Sequence, residues 1–275
     1  MAQLVGLVIY QHTKILAMAL KPDPSGIVRL IGDNTSELIQ LSPGDLTNFP
    51  LGAWTLDGND TVNGSEASEL ILGNEGEDFL TGFAGNDSVF GGKGRDFLSG
   101  ADGNDCLSGG LDADWLVGDA GDNLLGNDIL FGGRGNDVLQ GAGGDNTLVG
   151  GLGRDILSCE FGGNLCVLGI DSAATDINST DAISLFDPGF DIIGLASGLT
   201  VNDIVLEPVQ DVIVTYRFEG PQALLQFLPP DLARENSEPL SGTLIRVRNS
   251  NAILGFVDDV TPNELQSSIV SVQGF

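Results

Sequence analysis

Acidic side chains recur every nine residues through the middle of this chain. One stretch reads Gly91-Gly92-Lys93-Gly94-Arg95-Asp96-Phe97-Leu98-Ser99, and its neighbours repeat the pattern G-G-x-G-x-D-x-U-x, with U a large aliphatic residue. The sixth slot holds Asp60, Glu69, Asp78, Asp87, Asp96, Asp105 and Asp114, then Asn123, then Asp128, Asp137, Asn146, Asp155 and Asn164. A carboxylate held at a fixed place in a glycine-rich arc is a hard anionic ligand. The arc curls tightly enough to turn several backbone carbonyls inward beside it. Oxygen donors of this kind, several from the backbone and flexible in geometry, suit Ca2+ better than a transition metal. Mg2+ fits less well, because it keeps its waters and demands a stricter octahedron.

The elements that must position these carboxylates follow from the period. A nonapeptide is too short to fold alone and must stack on copies of itself. Two slots beyond each acid stands Val62, Ile71, Leu80, Val89, Leu98, Leu107, Leu116, Leu125, Leu130, Leu139, Leu148 or Leu157. The x-U-x triplet alternates, so U points inward and its neighbours outward, as in a short strand. Two nonapeptides make one coil of turn, strand, turn, strand. Successive coils stack as parallel strands about 4.8 Å apart. Each turn then lies over the turn two repeats later. One edge carries Asp60, Asp78, Asp96 and Asp114, and the other Glu69, Asp87, Asp105 and Asn123. The pattern slips at Leu125-Gly126-Asn127-Asp128, which reads as a loss of four residues, a shortened turn and a gap in one ladder.

The repeats resemble the repeats-in-toxin (RTX) family of hemolysin-type calcium-binding proteins, over roughly residues 55–165. The resemblance implies a parallel β-roll with Ca2+ between stacked turns. It also implies that each ion takes the slot-six carboxylate together with carbonyls of the turn glycines. Carried onto this chain, the set is Gly92, Gly94 and Asp96, likewise Gly133, Gly135 and Asp137, and the turns ending at Asp78, Asp87, Asp105, Asp114, Asp128 and Asp155. The Glu69 turn lacks its fourth-slot glycine, and Asn123, Asn146 and Asn164 offer a neutral oxygen, with Asp122 and Asp145 next door as substitutes.

Charge points the same way. The chain has 275 residues and a formal charge of −28, and residues 55–164 contain 20 acidic and four basic residues. Such a field disfavours nucleic acid and anionic membrane as partners. Stacked carboxylates repel, so the repeats are expected to stay largely unfolded without calcium and to fold when the ion binds. Cytosol is poor in calcium, so such a chain would fold outside the cell. The three cysteines, Cys106, Cys159 and Cys166, are expected to be free and packed, with a Cys159–Cys166 bond as the alternative.

The flanks carry different signals. In residues 1–50, Leu4–Tyr10, Ile15–Leu20, Ile27–Ile31 and Glu37–Leu41 read as short strands. They form either degenerate early coils or a β cap, and the start lacks the basic region of a signal peptide. Residues 51–168 are the roll, in which Trp54 and Trp115 are packing residues, Trp115 from an outward slot. Residues 169–275 are expected to form a β-rich capping and secretion domain, with strands at Thr180–Leu185, Asp191–Leu195, Ile204–Leu206 and Val212–Phe218. Asn249-Ser250-Asn251 marks a hairpin, and Pro221–Pro239 a loop. The stretch from Phe186-Asp187-Pro188-Gly189-Phe190 to Leu199-Thr200 is similar to blocks that follow β-rolls in secreted cyanobacterial RTX-type proteins. That resemblance implies export by a type I route without a cleaved leader, for which the ending Ser268–Phe275 is compatible.

Catalysis finds little footing. His12 is the single histidine, so an H-E-x-x-H zinc site is impossible, and neither a G-x-S-x-G elbow nor a phosphate-binding loop is present. The sequence supports a secreted, all-β calcium-binding protein with a structural, surface or adhesive role, or a module that recognises a cell-surface or protein partner. The alternative is a hydrolase with a carboxylate site near Asp181, Asp187, Asp191 or Asp211. No stretch is long and apolar enough for a transmembrane helix.

Overall fold

The computed structural model describes residues 21–22, 24–25, 30–119, 126–169, 179–212, 240–250 and 252–273. The expected strands at Leu4–Tyr10 and Ile15–Leu20, most of Val212–Phe218, the Pro221–Pro239 loop and His12 lie outside these residues. The chain winds between two facing sheets, placing one strand in each per coil, and each sheet has eleven strands among the described residues. The first sheet takes Ala53–Asp57, Leu70–Glu75, Ser88–Lys93, Cys106–Leu111, Ile129–Arg134, Thr147–Leu152 and Leu165–Leu168 in turn. The second takes Thr61–Ser65, Phe79–Ala84, Phe97–Asp102, Trp115–Val117, Val138–Gln140 and Ile156–Ser158. Neighbouring strands are parallel and pair with the same slots opposed, as Leu107 with Val89 and Leu130.

This register aligns the inward side chains. Val62, Ile71, Leu80, Val89, Leu98, Leu107, Leu116, Leu130, Leu139, Leu148 and Leu157 are fully buried and form one continuous core. Because every strand contributes one large residue to it, the roll has little redundancy. Leu107→Ala is expected to cost about 2–5 kcal/mol in calcium, as a Leu→Ala cavity in a tight core does. Phe83→Ala, at an exposed turn position, should stay within about 0.5 kcal/mol. Urea unfolding of both variants at one fixed calcium concentration measures the difference.

Both sheets run past residues 50 and 168. Leu30–Ile31 pairs in parallel with Ala53–Asp57, and Leu38–Gln40 with Thr61–Ser65. At the other end Ile192–Leu195 continues the first sheet and Asp181–Ser184 the second. Ile253–Asp258 joins the second sheet in parallel beside Asp181–Ser184, and Leu240–Val247 and Ile204–Val212 then add antiparallel strands that cover this last parallel edge. The expected hairpin is this pairing of Leu240–Val247 with Ile253–Asp258. Ile269–Ser271 joins the first sheet beside Ile192–Leu195, so part of the chain's ending is a strand. Among the described residues no helix is long and apolar enough to cross a membrane.

Two expectations need correction. The slip near Asp128 is a gain of residues, not a loss. Cys106 pairs with Ile129 and Trp115 with Val138, so this coil spans 23 residues where the regular coil before it, Ser88 to Cys106, spans 18. The turn after Val117 carries five extra residues, no arc is missing, and Asp128 takes the slot that the spacing gave to Asn123. Leu125 and Asn123 fall outside the described residues. Cys159 and Cys166 form a disulfide, while Cys106 is free as expected. Both sulfurs belong to fully buried residues, Cys159 in a turn slot and Cys166 in the inward column, so the roll's own winding brings them together. Trp115 is outward-facing yet only 2% exposed. It meets Phe97 edge-on at 5.3 Å, Phe97 stacks on Phe79 at 4.6 Å, and the indole Nε1 donates to Gln140 Oε1 at 2.7 Å.

Candidate metal centre

The slot-six side chains form two ladders, one on each turn edge. On one edge the backbone N–H of Asp78 donates to Oδ1 of Asp96 at 2.8 Å, and that of Asp96 to Asp114 at 2.9 Å. The series continues from Asp114 to Asp137 and from Asp137 to Asp155, each at 2.9 Å. On the other edge Asp87 donates to Asp105 at 2.7 Å, Asp105 to Asp128 at 2.8 Å, and Asp128 to Asn146 at 2.8 Å. The ladder therefore has no gap at the enlarged turn. Asp78, Asp96, Asp114, Asp137 and Asp155 stand on one edge, and Asp87, Asp105 and Asp128 on the other.

Both ladders outrun the repeats recognisable in sequence. Glu37 N donates to Asp60 at 2.7 Å at one end, and Asp155 N donates to Asp181 at 2.9 Å at the other. Asn164 N donates to Asp191 at 2.8 Å. Two carboxylates considered for a hydrolase, Asp181 and Asp191, are thus ladder members. Asp187 packs beside Asp191, its N–H donating to Asp191 Oδ2 at 2.7 Å, and the side chain of Asp211 lies outside the described residues. Among the described residues no three His, Cys, Asp or Glu side chains converge as a metal cluster. A cation held by the described residues would therefore draw part of its shell from the backbone.

The glycines make room for that shell in different ways. Slot-two and slot-four residues adopt left-handed backbone, as at Gly92 (φ 118°), Gly94 (117°), Gly133 (112°) and Gly135 (146°). They also let coils stack closely: a Cβ on Gly110 would lie 2.3 Å from the Gly92 carbonyl oxygen, and one on Gly153 would lie 1.7 Å from that of Gly135. The slot-one glycine works differently from the expectation of special backbone angles, because Gly91 has no positive φ. A Cβ there would strike Oδ2 of Asp96 at 2.3 Å, and the same collision recurs at Gly100 with Asp105 and at Gly132 with Asp137. Slot one is glycine because the carboxylate occupies its side-chain space.

That second oxygen is the chemically active feature. Oδ2 of Asp60, Asp78, Asp87, Asp96, Asp105, Asp114, Asp128 and Asp137 is buried with no hydrogen-bond partner. The residues themselves are no more than 2% exposed. Burial pushes the acids up, and repulsion from neighbouring carboxylates adds to it at Asp78, Asp87, Asp96, Asp114 and Asp128. Asp78, Asp87, Asp128 and Asp137 rise to about 7, Asp96 to about 8 and Asp114 to about 9. A buried anion with an unpaired oxygen needs a proton or a cation. Hard oxygens from Asp and backbone are the donor set of Ca2+, and the residues present fit that ion.

Two features escaped the sequence reading. Asp119, outside the slot pattern, is 2% exposed and offers a buried, unpartnered Oδ1, while its Oδ2 accepts from Gly126 N at 3.0 Å. A Cβ on Gly126 would meet Gly103 O at 1.9 Å, Asp119 Oδ1 at 2.9 Å and Asp128 Oδ1 at 3.0 Å, so two carboxylates and a carbonyl crowd one point. Burial and the nearby charges of Asp105 and Asp102 push Asp119 up to about 6. Slot five forms a second ladder running the other way: Asn104 N donates to Asn86 Oδ1 at 3.0 Å, and Asn127 N to Asn104 Oδ1 at 2.7 Å. The recurrence of asparagine before the acid was its signal.

A parallel β-roll with carboxylate ladders on both turn edges defines a calcium-binding β-roll protein. The model of the RTX calcium-binding nonapeptide repeat (4 copies) matches residues 63–98, 90–125 and 124–157. Residues 63–157 are thus RTX-type nonapeptide repeats, and repeats of this kind bind calcium ions. No curated protein matches the chain in sequence. Among solved structures, the extracellular lipase LipA from Serratia marcescens aligns at 15% identity with a TM-score of 0.21. That alignment covers 86% of this chain and 44% of the lipase, so the chain spans less than half of that protein, and the likeness carries no functional argument.

Proposed function

We propose that this is a secreted, non-enzymatic scaffold protein whose roll is set by calcium held at its turn edges. The ions are held by the carboxylates of Asp78, Asp87, Asp96, Asp105, Asp114, Asp128, Asp137 and Asp155, with turn carbonyls such as those of Gly92, Gly94, Gly133 and Gly135. Asp119 joins Asp128 at the enlarged turn. Calcium supplies charge neutralisation, and the chain supplies the stacked arcs and the enclosed carboxylates. The observation that carries the reading is the set of buried Oδ2 atoms left without a partner. Residues 51–168 are the calcium-dependent body, and residues 1–50 and 169–275 close its ends. The role is structural, at a surface or in a matrix, with cell-surface or protein partners engaged only by the calcium-folded form. Export by a type I route fits a roll that folds where calcium is plentiful.

Fractionation of the source cells tests this. The chain is expected in the medium or on the surface in millimolar calcium, with the surface pool released by a chelator. Recovery of the folded chain from inside the cells would overturn the proposal.

A further inference from the structure

We infer that the turns ending at Asn146 and Asn164 close without a metal, the side-chain amide taking the place of the second carboxylate oxygen and donating to neighbouring oxygens in the cation's stead. This rests on the reading of the Asp turns as calcium sites and adds which turns carry none. In each Asp turn Oδ2 fills the side-chain space of the slot-one glycine, 2.3 Å from the Cβ position of Gly91 for Asp96 and 2.2 Å from that of Gly100 for Asp105. Both oxygens lack a partner. At Gly141 the atom in that space is Nδ2 of Asn146, 2.7 Å from the Cβ position. It donates to the carbonyls of Gly143 at 3.0 Å and Gly144 at 3.4 Å, while Oδ1 keeps the ladder bond from Asp128 N.

The next turn on this edge is closed the same way. Asn164 Nδ2 donates to Oδ1 of Asp191 at 3.1 Å, and its own Oδ1 accepts from Asn146 N at 3.0 Å. Oδ2 of Asp191 accepts from Asp187 N at 2.7 Å. A cation entering either turn would meet N–H donors aimed at the oxygens it needs, and a neutral amide in place of an anion. Asp145 does not step in for Asn146, because it is exposed and its Oδ1 accepts from Gly163 N at 2.7 Å. Calcium on this edge therefore ends at Asp128, whereas the opposite edge carries carboxylates on through Asp137 and Asp155. The disulfide Cys159–Cys166 brackets Asn164, so the metal-free turn has a covalent brace of its own. The roll loads unequally, and one corner of its C-terminal end holds itself together before any ion arrives.

Equilibrium dialysis of the full chain against radioactive calcium tests the inference. Asn146→Ala is expected to bind as many ions as the wild type, while Asp105→Ala loses about one and Asn146→Asp gains about one. Far-UV circular dichroism in calcium checks that each variant folds, and Asn146→Asp decides the matter should Asn146→Ala fail to fold. The inference is overturned if Asn146→Ala loses as many ions as Asp105→Ala, or if Asn146→Asp gains none. A wild-type chain that binds no calcium at all would instead sink the underlying calcium reading.

Discussion

In chelator the β signal of this chain is expected to collapse, and calcium, but not magnesium, is expected to restore it cooperatively. The cause is arithmetic on the turn edges. At least eight Asp side chains among the described residues bury an Oδ2 with no hydrogen-bond partner. An unsatisfied buried polar atom costs about 1–3 kcal/mol, and a charged one more. Against a typical net stability of about 5–15 kcal/mol, that burden exceeds what the aliphatic core can offset. Each ion bound to the folded form returns free energy by mass action, about 2.7 kcal/mol at a hundredfold excess over its dissociation constant. Because a turn is shared by the coils on either side, loss of one site is felt by its neighbours.

Asp96→Ala is therefore expected to raise the calcium midpoint several-fold, beyond the roughly 10⁻⁴–10⁻³ M usual for extracellular modules. Asp96→Asn separates charge from shape. It too needs more calcium for the last increment of stability, but it keeps more β signal than the wild type in chelator, since an amide there can donate as Asn146 does. Circular dichroism over a calcium titration, with magnesium as control, reads all three chains. A wild type fully folded in chelator and indifferent to calcium would show that protons or backbone alone satisfy those oxygens.

The parts of this architecture written in side-chain type were legible in sequence, and the parts written in stacking were not. The inward column from Val62 to Leu157 and the carboxylates from Asp78 to Asp155 follow directly from the period, and both take their expected places. The slip before Asp128 could not be signed in the same way. Removing four residues and adding five restore the same phase in a nine-residue repeat, and Leu125 happens to offer an aliphatic where a column residue would stand. Only the pairing of Cys106 with Ile129 decides it. The ladder's ends at Glu37, Asp181 and Asp191 were hidden because glycines of the turns before them have given way to other residues, as at Asp33, Phe186 and Asp187. Asp119 was invisible for a related reason: its partner Gly126 is seven residues away across the insertion. The Cys159–Cys166 bond depends on where one turn slot meets the inward column, which is a property of the winding.

The second large effect is an exchange of protons for calcium. Burial raises the slot-six acids from an ordinary value near 4 to about 7 at Asp78, Asp87, Asp128 and Asp137, about 8 at Asp96 and about 9 at Asp114. Without metal, the folded chain between those limits binds protons that the unfolded chain has released. Stability of the metal-free roll is then greatest in acid and is lost as pH rises through the folded values, opposite in sign to a salt-bridged carboxylate. Calcium reverses the dependence, because each ion must displace the protons that hold the same oxygens. The chelated chain should gain β signal on acidification from about pH 8 to about pH 5, while the calcium midpoint rises over the same interval. Calorimetry at pH 5, where the metal-free roll is folded and its ladder acids hold protons, should show proton release on calcium binding when run in two buffers of different ionisation enthalpy, and Asp114→Asn should release fewer. Equal heats in both buffers, with a chelated chain as unfolded at pH 5 as at pH 8, would mean the ladder carboxylates are already ionised in the metal-free fold. Their cost would then fall on calcium alone, and the roll could have no acid-stabilised state.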